Sequence, residues 1–323
     1  MRLNVAYSCD DNYSRHVGVS MLSLLQSNRE FDEIFVYLID NNISSGNKRK
    51  LKNIAKEYGG ELIFISFEDL CFGLKTDNKY SLSSYARLFL SRIEDIEKII
   101  YLDCDSIITE SFVDLWKLNI SEYLIAGVQD NVNEYYKTSI GLSNDFRYVN
   151  AGFLLINLEK WRADNIENKF LNFIDKYNGS VPHHDQGTLN AICKDSILLL
   201  HPKYNVMPPM LEFTSEQILR LEKTSEYYSQ QEIDEAVKRP CFIHFTNGFF
   251  NRPWNKNSTH PMKSEYLRFL EQTPWKDDIL DNKLCRNARI MKIFYKYFPF
   301  SIYWIINKIV VKRKVYLLSK QNK

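Results

Sequence analysis

Lys98-Ile99-Ile100-Tyr101-Leu102-Asp103-Cys104-Asp105 is an apolar run that ends in two carboxylates, and its reading decides the fold. An uninterrupted apolar segment of this length describes a strand covered on both faces, the habit of parallel sheets. Upstream of it, residues 3–7, 34–39 and 62–65 read as three more strands. Helical patterns separate them. One starts at Ser14, with Val17, Met21, Leu24 and Leu25 at spacings of three and four; a second is capped by Ser44 and stops near Gly59-Gly60; a third covers residues 83–93. Such alternation predicts an α/β fold with a mostly parallel central sheet, whose ligands sit beyond the carboxyl ends of the strands. Downstream, residues 125–128, 149–158, 197–200 and 242–245 read as strands. Residues 159–177 and 185–193 read as helices, and 213–239 as two acidic, exposed helices. No internal repeat or Pro/Gly/Ser-rich linker divides residues 1–270.

Composition narrows the class further. The 323 residues are 45% hydrophobic, with 11 Gly and 9 Pro, which excludes disordered, collagen-like and low-complexity chains. Six scattered cysteines without a C-x-x-C pair predict reduced, buried thiols rather than a zinc knuckle or a disulfide framework. The net charge of +2 conceals an asymmetry. Residues 283–323 carry eleven Lys+Arg and no acid, leaving 31 basic against 40 acidic side chains in the rest. We therefore expect a catalytic domain over residues 1–275 and a basic, aromatic, helical C-terminal segment over 276–323. The longest uncharged run there, residues 297–307, is too short to span a bilayer. A basic aromatic segment suits an anionic membrane surface, with packing of its apolar face on the body as the alternative. No nucleic-acid partner is expected, because no recognised binding module accompanies the basic stretch. Residues 1–7 lack the apolar core of a secretory leader, so the expected location is cytoplasmic, peripheral to the inner face of the cell membrane.

The chemistry starts at Asp103 and Asp105. Carboxylates at i and i+2 of a strand share a side, about 6.6 Å apart along it, and at a strand end both can turn towards one hard divalent cation. A solvated strand-end turn is the alternative, and a third ligand separates the two readings. His244 is a candidate, since imidazole with two carboxylates suits Mn²⁺-type chemistry; the alternative is a packed structural histidine. Beyond it, Gly248 permits close backbone approach and Arg252 can meet a phosphate. The adjacent His183 and His184 project in different directions and are not expected to bind metal. Asp11 reads as solvated or as capping the helix that follows, and Trp116 and Trp161 as packing residues.

Together these segments resemble glycosyltransferase family 8, most nearly its bacterial lipooligosaccharide α-galactosyltransferases and general stress glycosyltransferases. The resemblance rests on Val5–Tyr13, Ser84-Tyr85-Ala86-Arg87-Leu88, Tyr101–Asp105, Asn150-Ala151-Gly152-Phe153, Asp185-Gln186, and His244–Gly248 with Arg252-Pro253-Trp254. These blocks occur in family order across about residues 1–280. The resemblance implies a GT-A type nucleotide-sugar-binding domain. Asp103, Asp105 and His244 would bind Mn²⁺ (or Mg²⁺) bridging the phosphates of a UDP-sugar. Asp10 and Asn12 would hold the uracil, Tyr13 would stack on it, and Ser8 lies in the same loop. Arg87, Asn150 and Asp185 would bind the donor sugar, with Gln186 beneath its anomeric carbon; Asp130 and Pro208 fall where the family lines its acceptor cleft. Gly248 and Arg252 would meet the phosphates.

Two departures from the family pattern stand out. The usual Gly-x-x-Lys-Pro-Trp is one residue longer here and carries Arg252, and the usual D-Q-D is Asp185-Gln186-Gly187. The activity implied is retaining transfer of galactose or glucose from UDP-galactose or UDP-glucose to a glycan, glycolipid or glycoprotein hydroxyl. An amide is a poor nucleophile, so front-face attack is expected over double displacement, with Asp185 as the alternative nucleophile. Two rivals weigh less. A phosphatase with Asp103 as nucleophile expects its D-x-D near the N-terminus, followed two residues on by Thr or Val, where this chain has Ile107. A non-catalytic sugar-nucleotide-binding scaffold would not need Asp103, Asp105, His244 and Gln186 all intact.

Overall fold

The computed structural model describes residues 1–76, 82–246, 250–278, 280, 293 and 295–321, with backbone alone for 314–321. Gly248 lies outside them. Seven strands form the central sheet: β1 (Arg2–Asp10), β2 (Glu33–Asn41), β3 (Glu61–Ser66), β4 (Lys98–Leu102), β6 (Ile125–Gln129), β7 (Val149–Asn157) and β8 (Ile197–Leu199). A separate two-stranded sheet pairs β5 (Ser106–Ile108) with β9 (Phe242–His244). The order in the large sheet is β3-β2-β1-β4-β7-β6-β8. In this sheet strand β7 alone runs against both its neighbours and every other pairing is parallel, whereas β5 and β9 pair antiparallel.

The pleat of these strands divides the core. Val5, Tyr7, Ile100, Leu102, Phe153 and Leu155 face one hydrophobic cluster, which takes in Val17, Leu24 and Leu25 of the Ser14–Ser27 helix. Ala6, Tyr101, Leu154 and Ile156 face the other, with Phe89, Trp161 and Phe170. Apolar side chains on both faces are what an uninterrupted apolar strand requires. Ser20 ties the two sheets together, contacting the Tyr7 hydroxyl at 3.1 Å and that of Ser106 at 2.9 Å.

Three expectations change in detail. Residues 82–92 wind as a 3₁₀-helix, not an α-helix. Its buried residues Ser83, Tyr85, Ala86, Arg87, Leu88, Phe89 and Leu90 occupy nearly all sides, so packing rather than one amphipathic stripe sets the winding. The helix expected over 159–177 is two, Leu158–Ala163 and Ile166–Lys176, separated where Asn165 turns left-handed (φ 52°). The strand β5 carries no hydrophobic pattern of its own and was not anticipated. The five cysteines in the described residues are free and buried, as expected; Cys285 lies outside those residues.

Within the C-terminal segment, Tyr295, Tyr303 and Trp304 pack on the body. Tyr303, 4% exposed, stacks on Phe213, the Tyr295 hydroxyl donates to Glu212 O at 2.8 Å, and Trp304 Nε1 donates to Arg220 O at 3.0 Å. Further side chains of the Phe300–Gln321 helix, Ile302, Ile305, Ile309 and Val310, are exposed. Residues 281–292 lie outside the description, and no helix among the described residues is long and apolar enough to cross a membrane.

Candidate active site

The site forms where β1 and β4 end. Beyond β4 the chain turns through Asp103-Cys104-Asp105 into β5, and the register Ser106↔His244 sets His244 directly beside that turn. Its Nε2 lies 3.3 Å from Asp105 Oδ1 and 3.6 Å from Asp103 Oδ2. Among the described residues, these three side chains form the only group of carboxylates, thiols or imidazoles able to converge on one metal ion. His183 and His184 are not part of such a group.

Two further observations fit a cation there. A Cβ on Gly152 would come within 2.2 Å of His244 Cε1 and 2.7 Å of Asp103 Oδ2, so only glycine leaves the cradle open. The donor set, two carboxylates and one imidazole, matches Mn²⁺ better than a thiophilic metal. Burial disfavours a charged Asp105, but the His244 hydrogen bond and charge and the Arg252 guanidinium outweigh it and hold the carboxyl below its usual range. Reciprocally, burial disfavours a charged His244, and its Asp105 contacts outweigh that and raise its pKa.

Guanidinium groups flank the carboxylates. Arg87, 4% exposed, donates from Nη2 to Asp103 Oδ1 at 2.8 Å and pairs through Nε with Asp185 Oδ2 at 3.1 Å. Its Nη1 also donates to Ala151 O, and the guanidinium lies over the Tyr101 ring. Arg252 Nη2 lies 3.1 Å from Asp105 Oδ2, while its Nη1 donates to the Tyr13 hydroxyl at 2.7 Å. Burial raises the Asp185 pKa even though Arg87 opposes it.

Ser8, Asp10, Tyr13, Arg87, Asp103 and Asp105 help to line a cavity of about 190 Å³. Ser8 Oγ is buried with no hydrogen-bond partner, a polar group that a ligand can satisfy. Asp10 caps the short turn Asp11–Tyr13 by accepting from Tyr13 N, whereas Asp11 reaches Ser44 N and Asn47 Nδ2, both at 2.8 Å. Asp11 thus ties down the start of the Ser45–Glu57 helix rather than capping the Ser14–Ser27 helix that follows it. Asn12 is exposed. A larger concavity, about 800 Å³, lies apart from this site; in it Arg239 pairs with Glu110, and His201 Nε2 lies 3.6 Å from Glu235 Oε2.

On the opposite side lies an amide network. Gln186 Oε1 accepts from Ala151 N at 3.0 Å, and its Nε2 donates to Asp130 Oδ2 at 2.8 Å. Asn150 Nδ2 donates to the same Asp130 oxygen at 2.9 Å, and Asn150 Oδ1 accepts from Gly152 N and from Asn205 Nδ2. His183 bonds the Tyr148 hydroxyl at 3.0 Å and lies beside Gln186 Nε2. Gly187 has a structural reason: a Cβ there would sit 2.1 Å from Pro182 O, so a second Asp could not occupy this helix start without moving the backbone. Pro208 begins the short Pro208–Glu212 helix. Sequence reading missed Asn205, Gly152's role as a cradle, and the contact of Arg87 with Asp103, since none carries a local signal.

Comparison with known proteins agrees with this geometry. Residues 4–258 match the family model described as glycosyl transferase family 8. General stress protein A of Bacillus subtilis is 29% identical over 84% of this chain and 94% of its own length. Lipopolysaccharide 1,2-glucosyltransferase of Escherichia coli K12 is 27% identical over 85% of this chain and 80% of its own. A crystal structure of galactosyltransferase LgtC in complex with donor and acceptor sugar analogues superposes with a TM-score of 0.69, at 23% identity, over 90% of this chain and 99% of that one. This last likeness establishes a shared fold.

Proposed function

This chain belongs to glycosyltransferase family 8, and from that premise we propose that it is a UDP-hexose-dependent retaining hexosyltransferase acting on a glycan, glycolipid or glycoprotein hydroxyl. The observation that carries the reading is the convergence of Asp103, Asp105 and His244 beside the Gln186–Asp130–Asn150 network. Asp103, Asp105 and His244 would hold a divalent cation, Mn²⁺ by the donor set, which when bound would offer positive charge to a diphosphate leaving group. Arg252 adds a charge-assisted donor on the same side. Ser8, Asp10, Asn12 and Tyr13 take the nucleoside, and Arg87, Asn150 and Asp185 the donor sugar.

The protein's own groups support front-face attack. The Gln186 amide is oriented by Ala151 and Asp130, and the Asp185 carboxylate is spent on Arg87. Neither is set up as a nucleophile. Asp130, which accepts from both Gln186 and Asn150, is placed to orient an acceptor hydroxyl. Relatives named as a glucosyltransferase and a galactosyltransferase leave UDP-glucose and UDP-galactose as the two donors to test. Release of UDP from one of them, abolished by EDTA and restored by Mn²⁺, is the expected result; full turnover in EDTA overturns the metal role, and no turnover of any UDP-sugar overturns the reading.

The same reading places the enzyme at the inner face of the cell membrane. Exposed Tyr297, Phe298, Ile305 and Ile309, together with Lys308, Lys312 and Arg313, support docking on an anionic surface. Substituting Ile305→Asp with Ile309→Asp should release the protein from phosphatidylglycerol vesicles in a sedimentation assay while UDP-sugar turnover is kept. Unchanged sedimentation would sink the anchor.

A further inference from the structure

Both oxygens of Asp105 are engaged: Oδ1 faces His244 Nε2 at 3.3 Å and Oδ2 faces Arg252 Nη2 at 3.1 Å. Asp103 is engaged likewise, with Arg87 on Oδ1 and His244 towards Oδ2. Asp103, Asp105 and Asp185 against Arg87 and Arg252 leave a formal charge of −1, with His244 counted neutral. The carboxylates that should attract a dication are thus largely neutralised by guanidinium groups.

The two arginines are not equivalent. Arg87 is locked by four separate partners, Asp103, Asp185, Ala151 O and Ser84 O, and is almost wholly buried. Arg252 lies at the mouth, held on its other side by the Tyr13 hydroxyl and over the Trp254 ring. A cation that takes Asp105 oxygens must share them with Arg252 or displace it, and either costs Coulomb energy in a half-buried site. A diphosphate arriving with the cation changes the balance, because its oxygens give the guanidinium a replacement anion.

We propose that Arg252 is a counter-ion latch on Asp105, which makes metal binding conditional on the nucleoside diphosphate, so that the two enter as a coupled pair and not metal first. This inference rests on the UDP-sugar reading above. It also accounts for arginine at this position: a planar fork can hold Asp105 and the Tyr13 hydroxyl simultaneously, whereas an ammonium offers one compact point charge.

The test is a Mn²⁺ titration followed by the electron paramagnetic resonance signal of free Mn²⁺, with and without UDP. Wild-type protein should bind Mn²⁺ about ten-fold more tightly with UDP present, and by linkage Mn²⁺ should tighten UDP by the same factor. Arg252→Gln should bind Mn²⁺ alone about five-fold more tightly than wild type, with the UDP coupling correspondingly reduced. Direct metal–phosphate bonding can couple the ligands without a latch, so the gain in Mn²⁺ affinity without UDP is the deciding readout. Should Arg252→Gln fail to fold, Arg252→Lys must show intermediate Mn²⁺ affinity without UDP. Unchanged Mn²⁺ affinity in the folded variants overturns the latch while leaving the UDP-sugar reading intact. A wild-type protein that binds neither Mn²⁺ nor UDP overturns that reading, and the latch with it.

Discussion

The two walls of the cleft are built from different materials. One wall is charged: Asp103 and Asp105 pair with Arg87 and Arg252 at 2.8 and 3.1 Å, and His244 Nε2 lies 3.6 and 3.3 Å from the same two carboxylates. The other is a network of neutral amides, Gln186, Asn150 and Asn205, gathered around the single carboxylate of Asp130. Charge pairs in a partly buried site can exchange partners when a more highly charged ligand arrives. Amide bonds are directional and hold one geometry. The charged wall therefore suits a leaving group whose charge grows in the transition state, and the amide wall suits the placement of a sugar carbon and an attacking hydroxyl.

The comparison breaks most sharply at the charged wall. Asp105→Asn should lower UDP-sugar turnover by about 10³-fold, a loss of the size seen when a group that stabilises developing charge is removed. Excess Mn²⁺ should not rescue it; recovery at high Mn²⁺ would show that Asp105 contributes binding alone. A smaller effect is expected at the amide wall. Gln186→Ala should reduce kcat by about 10²-fold through lost positioning, with Mn²⁺ and UDP affinity unchanged. Parallel loss of Mn²⁺ affinity would show that the two walls are not separable.

The smallest effect concerns what supports the charged wall. His260 packs edge-on against Phe245 and Phe250, and burial holds its pKa down at about 4. The folded protein thus keeps His260 neutral at pH values where the unfolded chain, with a pKa near 6.5, takes up a proton. Its contribution is complete above about pH 6.5 and is lost as pH falls through the window down to about 4. As pH falls across that window, the melting temperature of wild type should drop relative to that of His260→Phe; parallel curves would refute the assignment.

Much of this was legible from particular residues. The apolar run before Asp103 specified a buried strand, Ser44 marked its helix start, and the i, i+2 carboxylates marked the metal candidate. Ser14 likewise began a helix, but through burial against the core and without a side-chain cap bond. The antiparallel course of β7 was not legible, because its apolar run Phe153–Ile156 reads the same in either direction. Nor was β5, three residues long, whose pairing is satisfied only by a strand far along the chain. The break at Asn165 was hidden by a helical pattern that runs straight through it.

By itself the sequence determined the α/β class, the identities of the chemical groups and the acidic body with its basic end, because periodicity, composition and charge are local properties. Only the tertiary structure decided who meets whom. The β5–β9 register brings His244 to Asp105 across 139 positions of chain, and the fold presses Arg87 and Arg252 onto the same two carboxylates. Those contacts arise from burial and strand pairing between distant segments, which leave no trace in local spacing. They turn two aspartates at a strand end into a site where an imidazole and two guanidinium groups meet both carboxylates.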